Sequence, residues 1–224
     1  MTAVPVSGQL LVLAKAPVPG RVKTRLCPPC TPAEAAGLAA AALADTIAAA
    51  RATPGVRRRV LALDGWCEVP ADLAVLPQRG TGLAERIGHA FADADAGPTL
   101  LVGMDTPQAG PDLLAACLST LDAAADPVDA VLGPAEDGGW WALGLHDPGQ
   151  ARLLAGVPMS TPDTGRLTLA ALRGAGLRVG LLPELRDVDD WADAVAVAGR
   201  APSGRFAAAV AAQADALAAA GVLA

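Results

Sequence analysis

The sequence predicts an α/β domain, and three observations carry that expectation. Short apolar runs alternate with helical stretches along the whole chain, the order that lays helices on a sheet. Hydrophobic residues make up 53% of the chain but aromatics only 3%, with no tyrosine. That mass of Ala, Leu and Val suits Ala-rich helices on Val/Leu strands rather than an aromatic β-sandwich. The length, 224 residues, allows one domain spanning 1–224 to bury its core without disulfides or structural metals.

The elements run in order. Residues 9–14 (QLLVLA) read as a buried first strand. Thr31 and Pro32 open a long helix to about residue 52, with Pro at the first helical position and Glu34 in the first turn. Residues 59–63 and 74–76 read as the second and third strands, and 82–94 as a helix with Leu83, Ile87, Ala90 and Phe91 on one face. A strand at 99–104 precedes a helix at 111–124. Strands at 130–132 and 140–145 flank a Gly-rich turn. Next come a helix at 164–173, a strand at 178–182 and a short helix at 191–198, and a helix at 205–219 closes the chain. The core thus runs from about 9 to 198, and the Pro/Gly-dense stretch 199–204 merely offsets the last helix.

Composition excludes several classes. A net charge of −6 argues against a general nucleic-acid binder, whose footprint is basic. Residues 1–8 lack the basic and apolar regions of a secretory signal. The most apolar stretches, 33–50 and 207–220, are Ala-dominated and interrupted by Glu34, Asp45, Gln213 and Asp215, which reads as soluble helices rather than membrane spans. Four cysteines are too few for a secreted disulfide scaffold at this length. The expected location is cytoplasmic, with neither nucleic acid nor membrane as partner.

In an open α/β sheet, ligands sit outside the carboxyl ends of the strands, so the residues just past each strand are the informative ones. After the first come Lys15, Gly20, Arg21, Lys23 and Arg25 among prolines, a stiff cationic loop suited to phosphate. It is not a Walker loop, because the required spacing is absent. After the third strand, Arg79, Gly80 and Gly82 precede a helix start, where free amides and close backbone approach suit an anion; a simple turn explains them equally well. After the fourth comes Asp105, a carboxylate at the end of a Val/Leu strand. A metal there competes with a helix N-cap, from which Asp105 lies rather far.

The turn 133–139 carries Glu136 and Asp137 before Gly138 and Gly139; a plain hairpin accounts for the glycines but not for the second acid. Trp140 and Trp141 alternate faces, one toward core and one toward a pocket. Alternation also places Asp187 and Asp189 on one face, able to share a cation with Asp105, while Asp189 or Asp190 caps the next helix. Cys27-Pro-Pro-Cys30 lacks the partners of a zinc site and the context of a redox pair, so it reads as incidental. His89 and His146 have no evident partner.

These segments together resemble the glycosyltransferase-A-like superfamily, the nucleotide-diphospho-sugar transferases. They look most like a bacterial family of which some members are labelled arsenosugar-biosynthesis glycosyltransferases. The likeness rests on A-K-x-P-x-x-G-x-x-K-T-R-L at 14–26, G-x-D-T/C-P at 103–107, G-P-x-x-D-G-G-[YW] at 133–140, S-T-P-x-T at 160–164 and a D-x-D at 187–189. A more distant likeness, through K-[ST]-R-L and D-G-G, is to 2-phospholactate guanylyltransferase. The resemblance implies a three-layer α/β/α fold with a mixed, mostly parallel sheet, one strand antiparallel. It also aligns Asp105 and Asp189 with the superfamily's metal positions, for Mg2+ or Mn2+, and implies nucleotide phosphates on Lys15, Arg21, Lys23 and Arg25. The sequence departs from the pattern where a full Asp-x-Asp is reduced to Asp105.

The expected activity is metal-dependent glycosyl transfer from a nucleotide-activated sugar to a small acceptor. A metal at Asp105 would neutralise the departing diphosphate, helped by Lys23 and Arg25, and Asp137 would act as general base. Gly138, Gly139, Trp140, Ser160, Thr161 and Asp163 would shape the acceptor pocket. The alternatives are nucleotidyl transfer from a nucleoside triphosphate to a phosphate or phosphonate acceptor, and a non-catalytic nucleotide-binding protein.

Overall fold

A computed structural model describes residues 8–123 and 126–222. Residues 1–7, most of the stretch read as lacking a leader, and Ala124, the expected end of the third helix, lie outside the described residues. Seven strands form one sheet in the order β3-β2-β1-β4-β6-β5-β7. They are β1 (Gln9–Lys15), β2 (Arg58–Asp64), β3 (Ala74–Pro77), β4 (Thr99–Gly103), β5 (Ala130–Pro134), β6 (Trp140–Leu145) and β7 (Val179–Leu181). β6 pairs antiparallel with both β4 and β5, while the other pairings are parallel. The sheet is therefore mixed and mostly parallel, with one reversed strand, as the resemblance implied.

Strand alternation divides the core in two. Leu10, Val12, Leu100 and Val102 pack on one face with α1 (Pro32–Ala52) and α3 (Pro111–Leu121). Leu11, Leu101, Leu132 and Leu143 pack on the other with α2 (Leu83–Ala92) and α4 (Thr164–Gly174). Period-two burial thus makes three layers from one apolar sheet. A third cluster joins the outer face of α1, through Ala35, Leu38 and Ala42, to α5 (Trp191–Arg200) and α6 (Arg205–Ala219). By length and composition α1 could cross a membrane, but here its opposite faces are covered by the sheet and by these two helices.

Local chemistry fixes the helix starts. Thr31 Oγ1 accepts from the Glu34 amide while the Glu34 carboxylate accepts from the Thr31 amide, a capping box ahead of Pro32. Asp190 and Asp193 build the same box on α5, so Asp190 rather than Asp189 is the cap. Asp45, midway along α1, accepts from the amides of Arg205 and Phe206 and ties down the start of α6.

Two 3-10 segments depart from the sequence expectation. Thr24–Leu26 forms a single turn inside a loop that reads as irregular, because beyond Gly20 no proline intervenes and Leu26 is fully buried. Pro148–Gly156 forms the other, where the sequence predicts no element. Asp147 accepts from the Gly149 amide at its start, and Ala151 and Leu154 bury three apart, the repeat of that helix type.

Candidate active site

A cleft of about 840 Å3 opens over the carboxyl ends of β1 and β4. Of the residues singled out from sequence, Lys15, Arg21, Lys23, Arg25, Asp105, Asp137, Gly139, Trp140, Ser160, Thr161, Asp187 and Asp189 line it. Gly20, Gly80, Gly82 and Gly138 shape turns outside the lining, and Arg79 and Asp163 are not brought in. The Arg79 guanidinium instead grips Asp93 at the end of α2, with a shortest distance of 2.5 Å, and Asp163 pairs with Arg166 at the surface.

The acids and cations of the cleft are paired differently from the sequence expectation. Asp105 caps nothing, since Gly110 occupies the N-cap of α3. Its carboxylate lies 2.6 Å from Lys23 Nζ, and Lys23 donates a second hydrogen bond to the Val188 carbonyl. The carboxylates that come together are Asp137, Asp187 and Asp189, one oxygen of each lying within 4.8 Å of the others. Asp137, assigned from sequence to base catalysis, thus joins the late pair, and Asp105 faces a lysine.

Asp187 reports the strain of that gathering. Burial first, then the negative charge of Asp137, pushes its carboxyl up to about 6; Asp189 adds to this and Lys23 offsets part of it. Arg25 meets Asp189 at 2.5 Å on the exposed side of the cluster. Three hard oxygen donors held this close suit a divalent Mg2+ or Mn2+ ion, which relieves their repulsion.

The loops holding the cluster are braced from behind. Glu136 accepts from Arg186 Nε at 2.6 Å and from Arg200 at 2.9 Å, which hold its carboxyl below the usual range. Arg186 lies 3.6 Å from Asp193, and Asp193 accepts from the amide of Asp189. Glu136 adjoins Asp137, Arg186 adjoins Asp187, and Asp193 touches the main chain of Asp189, so the network grips all three acids. The Gly138 and Gly139 carbonyls pack against the start of α4, where the Gly165 amide donates to Gly138 O at 2.8 Å.

Trp141 is buried and its indole donates to Pro183 O, whereas Trp140 is half-buried, anchored on Thr168 and open to the cleft. Among the polar lining residues to which sequence reasoning gave no role are Gln78 and Arg86. Gln78 donates both amide hydrogens to Ala14 O and Ala62 O, leaving its oxygen as a fixed acceptor. Arg86 pairs with Asp64 at 2.7 Å; a charge on the first turns of α2 and an acid ending β2 were the legible signal. The cysteines are free thiols, with Cys30 pushed up to about 11 and Cys117 to about 12 by burial, a setting for packing rather than reactivity.

The model of a bacterial family described as "Uncharacterized protein conserved in bacteria (DUF2064)" matches residues 36–161. No curated protein matches the chain. Among solved structures, a protein from Desulfovibrio desulfuricans G20 assigned as a nucleotide-diphospho-sugar transferase is 27% identical, with a TM-score of 0.73 over 85% of each chain. A CMP:2-keto-3-deoxy-manno-octonic acid synthetase solved with CTP is 12% identical, with a TM-score of 0.54 over 83% of this chain and 94% of that one. Rv0371C of Mycobacterium tuberculosis H37Rv, solved with manganese, is 20% identical, with a TM-score of 0.50 over 84% of this chain and 95% of that one. The fold is that of the nucleotide-diphospho-sugar transferases.

Proposed function

Since the chain belongs to this bacterial family of DUF2064 proteins, we propose that it is a cytoplasmic, metal-dependent transferase that moves a glycosyl group from a nucleotide-activated sugar to a small acceptor. The observation that carries this reading is the division of one cleft into a cationic wall, from Lys15 and Arg21 to Arg86, and an acidic wall of Asp137, Asp187 and Asp189. A nucleoside diphosphate spans such a divide with its phosphates on the cations and its far end at the acids. The similarity to an assigned sugar transferase supports it.

Lys15 and Arg21 have no carboxylate partner among the described residues and are the primary phosphate ligands. Lys23 and Arg25, each held by an acid, sit where the phosphates meet the acidic wall. Asp137, Asp187 and Asp189 would hold Mg2+ or Mn2+, which neutralises charge on the departing diphosphate when bound. In the transfer, the acceptor oxygen forms a bond to the anomeric carbon as the bond from that carbon to the diphosphate oxygen breaks. The electron pair leaves with the diphosphate. The acceptor proton passes to a carboxylate, the role we assign to the second oxygen of Asp137, the exposed acid of the three.

A second reading, nucleotidyl transfer, is favoured by the number of cations on the donor wall, which suits a triphosphate, and by the synthetase crystallised with CTP. Melting curves with nucleotide sugars and nucleoside triphosphates, each with and without Mg2+ or Mn2+, separate the readings. A metal-dependent shift with diphospho-sugars supports glycosyl transfer, and one confined to a triphosphate moves the assignment to nucleotidyl transfer. If Asp137→Asn and Asp187→Asn leave the biological role intact, the protein is a binder rather than an enzyme.

A further inference from the structure

Just past the end of β3, Gln78 is held in one orientation. Its main-chain amide donates to Leu63 O, and its side-chain Nε2 donates to Ala14 O at 2.8 Å and to Ala62 O at 2.9 Å. Both Nε2 hydrogens are thereby spent on carbonyls of β1 and β2, groups that only accept. A flipped amide would set its oxygen against those two oxygens, so the network fixes which atom is Oε1. That oxygen has no donor among the described residues and is not buried, in a side chain that lines the cleft.

The lining from β1 and the first turns of α2 is apolar, through Leu13, Leu83 and Ile87. Its polar side chains are turned to protein partners. Thr81 gives its amide and hydroxyl to the Glu85 carboxylate, and Arg86 directs Nη1 to Asp64 and Nε to Gly80 O. The carboxylates of the lining, Asp105, Asp137, Asp187 and Asp189, come from the end of β4 onward, on the other side of β1 in the sheet order. Apolar walls with one unspent acceptor suit the edge of a planar heteroaromatic ring better than a hydroxyl-rich group.

We propose that Gln78 chooses the base of the donor nucleotide: its oxygen accepts from an exocyclic amino group, so that a cytosine, guanine or adenine nucleotide is taken and uracil and thymine are rejected. The inference rests on the nucleotide-donor reading above, which leaves the base open. Ala14, whose carbonyl Gln78 holds, immediately precedes Lys15 of the phosphate wall, so the amide lies beside the phosphates on the side away from the acids. A donor with its phosphates on Lys15 and Arg21 and its transferred group at the acids therefore turns its nucleoside toward Gln78. Uracil and thymine carry carbonyl oxygens on both sides of their single ring N–H. Against Gln78 those oxygens meet an acceptor, and the side-chain donors nearby are already engaged, so polar groups are left unpaired on both partners.

Titration calorimetry on the full chain with Mg2+ tests this. The probes are cytidine, guanosine, adenosine and uridine diphosphates, 2′-deoxycytidine diphosphate, and pyrophosphate as a reference without a base. At least one amino-bearing diphosphate is expected to bind about tenfold or more tightly than uridine diphosphate. In Gln78→Met, which keeps the length of the side chain and removes the acceptor, that preference is expected to disappear. The comparison among nucleotides on the wild-type chain needs no variant, so it decides the matter even where loss of the bonds to Ala14 and Ala62 unfolds Gln78→Met. A preference for uridine diphosphate, equal affinities across the bases, or a preference unchanged in Gln78→Met overturns the inference. Equal affinities across the bases with a loss confined to the 2′-deoxy form would assign the oxygen to the ribose instead. Pyrophosphate binding without base preference leaves the donor reading standing and removes only this inference, whereas binding of neither pyrophosphate nor any nucleotide removes both.

Discussion

Lys23 is nine-tenths buried along its side chain and its ammonium lies 2.6 Å from the Asp105 carboxylate, which is 44% exposed. The same ammonium donates to Val188 O, so one side chain joins the loop after β1, the end of β4 and the late acidic segment. Its backbone sits at a φ of 48° to reach this point. Replacement by Met keeps most of the stem's apolar contact and removes the charge. Lys23→Met is expected to lose about 1–3 kcal/mol of stability, because a charge-assisted bond disappears and the Val188 carbonyl loses its donor. Urea unfolding measures this, and nucleotide-induced melting shifts are expected to shrink in the same protein.

If Asp189 holds a metal ion as proposed, Arg25 competes with that ion for it. The guanidinium reaches that carboxylate at 2.5 Å from a largely exposed position, where an ion pair is worth about 1 kcal/mol or less. Arg25→Gln is therefore expected to tighten Mn2+ binding by up to about fivefold while weakening nucleotide binding. Titration calorimetry of the two ligands separately reads the opposite signs. A variant that weakens both would show that Arg25 organises the loop rather than competing for the acid.

Much of the fold was legible because burial on a sheet leaves a period in the sequence. The capping residues Thr31, Glu34, Asp190 and Asp193 likewise act over one helical turn. The cleft was legible as a set of loops, since topology alone brings strand ends together. Pairing across the cleft was not. Spacing says nothing about whether Asp105 faces Asp187 or Lys23, and the insertion of β6 between β4 and β5 is what delivers Asp137 to the late acids. Arg79 beside two glycines resembled a phosphate turn, yet Asp93 across α2 captures it. A partner fourteen residues away on the far end of a helix leaves no mark in a motif.

Asp187 predicts an inversion of pH dependence on metal binding. Its folded carboxyl is pushed up to about 6 from an ordinary 3.8. Between these values the folded chain binds more protons than the unfolded one, so this group's contribution to stability falls as pH rises through that window. Metal-free wild type is therefore expected to lose stability relative to Asp187→Asn from about pH 4 to pH 6, and to hold a constant difference above it. Mn2+ affinity has the opposite slope, rising toward about pH 6 as the ligand loses its proton and then levelling. Denaturant midpoints and Mn2+ titrations over that range test both slopes.

Gly138 holds the acidic turn against the segment entering α4, and its replacement separates that joint from general stability. Its φ is +88°, and a β-carbon there would collide with the Pro162 carbonyl oxygen. The obstacle is backbone on one side and a left-handed conformation on the other, so neither partner can give way cheaply. Gly138→Ala is expected to cost about 2–4 kcal/mol, the sum of a conformational and a steric penalty. It is also expected to displace Asp137 from Asp187 and Asp189, lowering Mn2+ affinity. Gly174→Ala, at the end of α4 with open space around a β-carbon, is expected to be neutral or stabilising by up to about 1 kcal/mol. If Gly138→Ala is destabilised yet binds Mn2+ as tightly as wild type at a temperature where both are folded, the turn is a structural joint only, and Asp137 contributes nothing to the metal site.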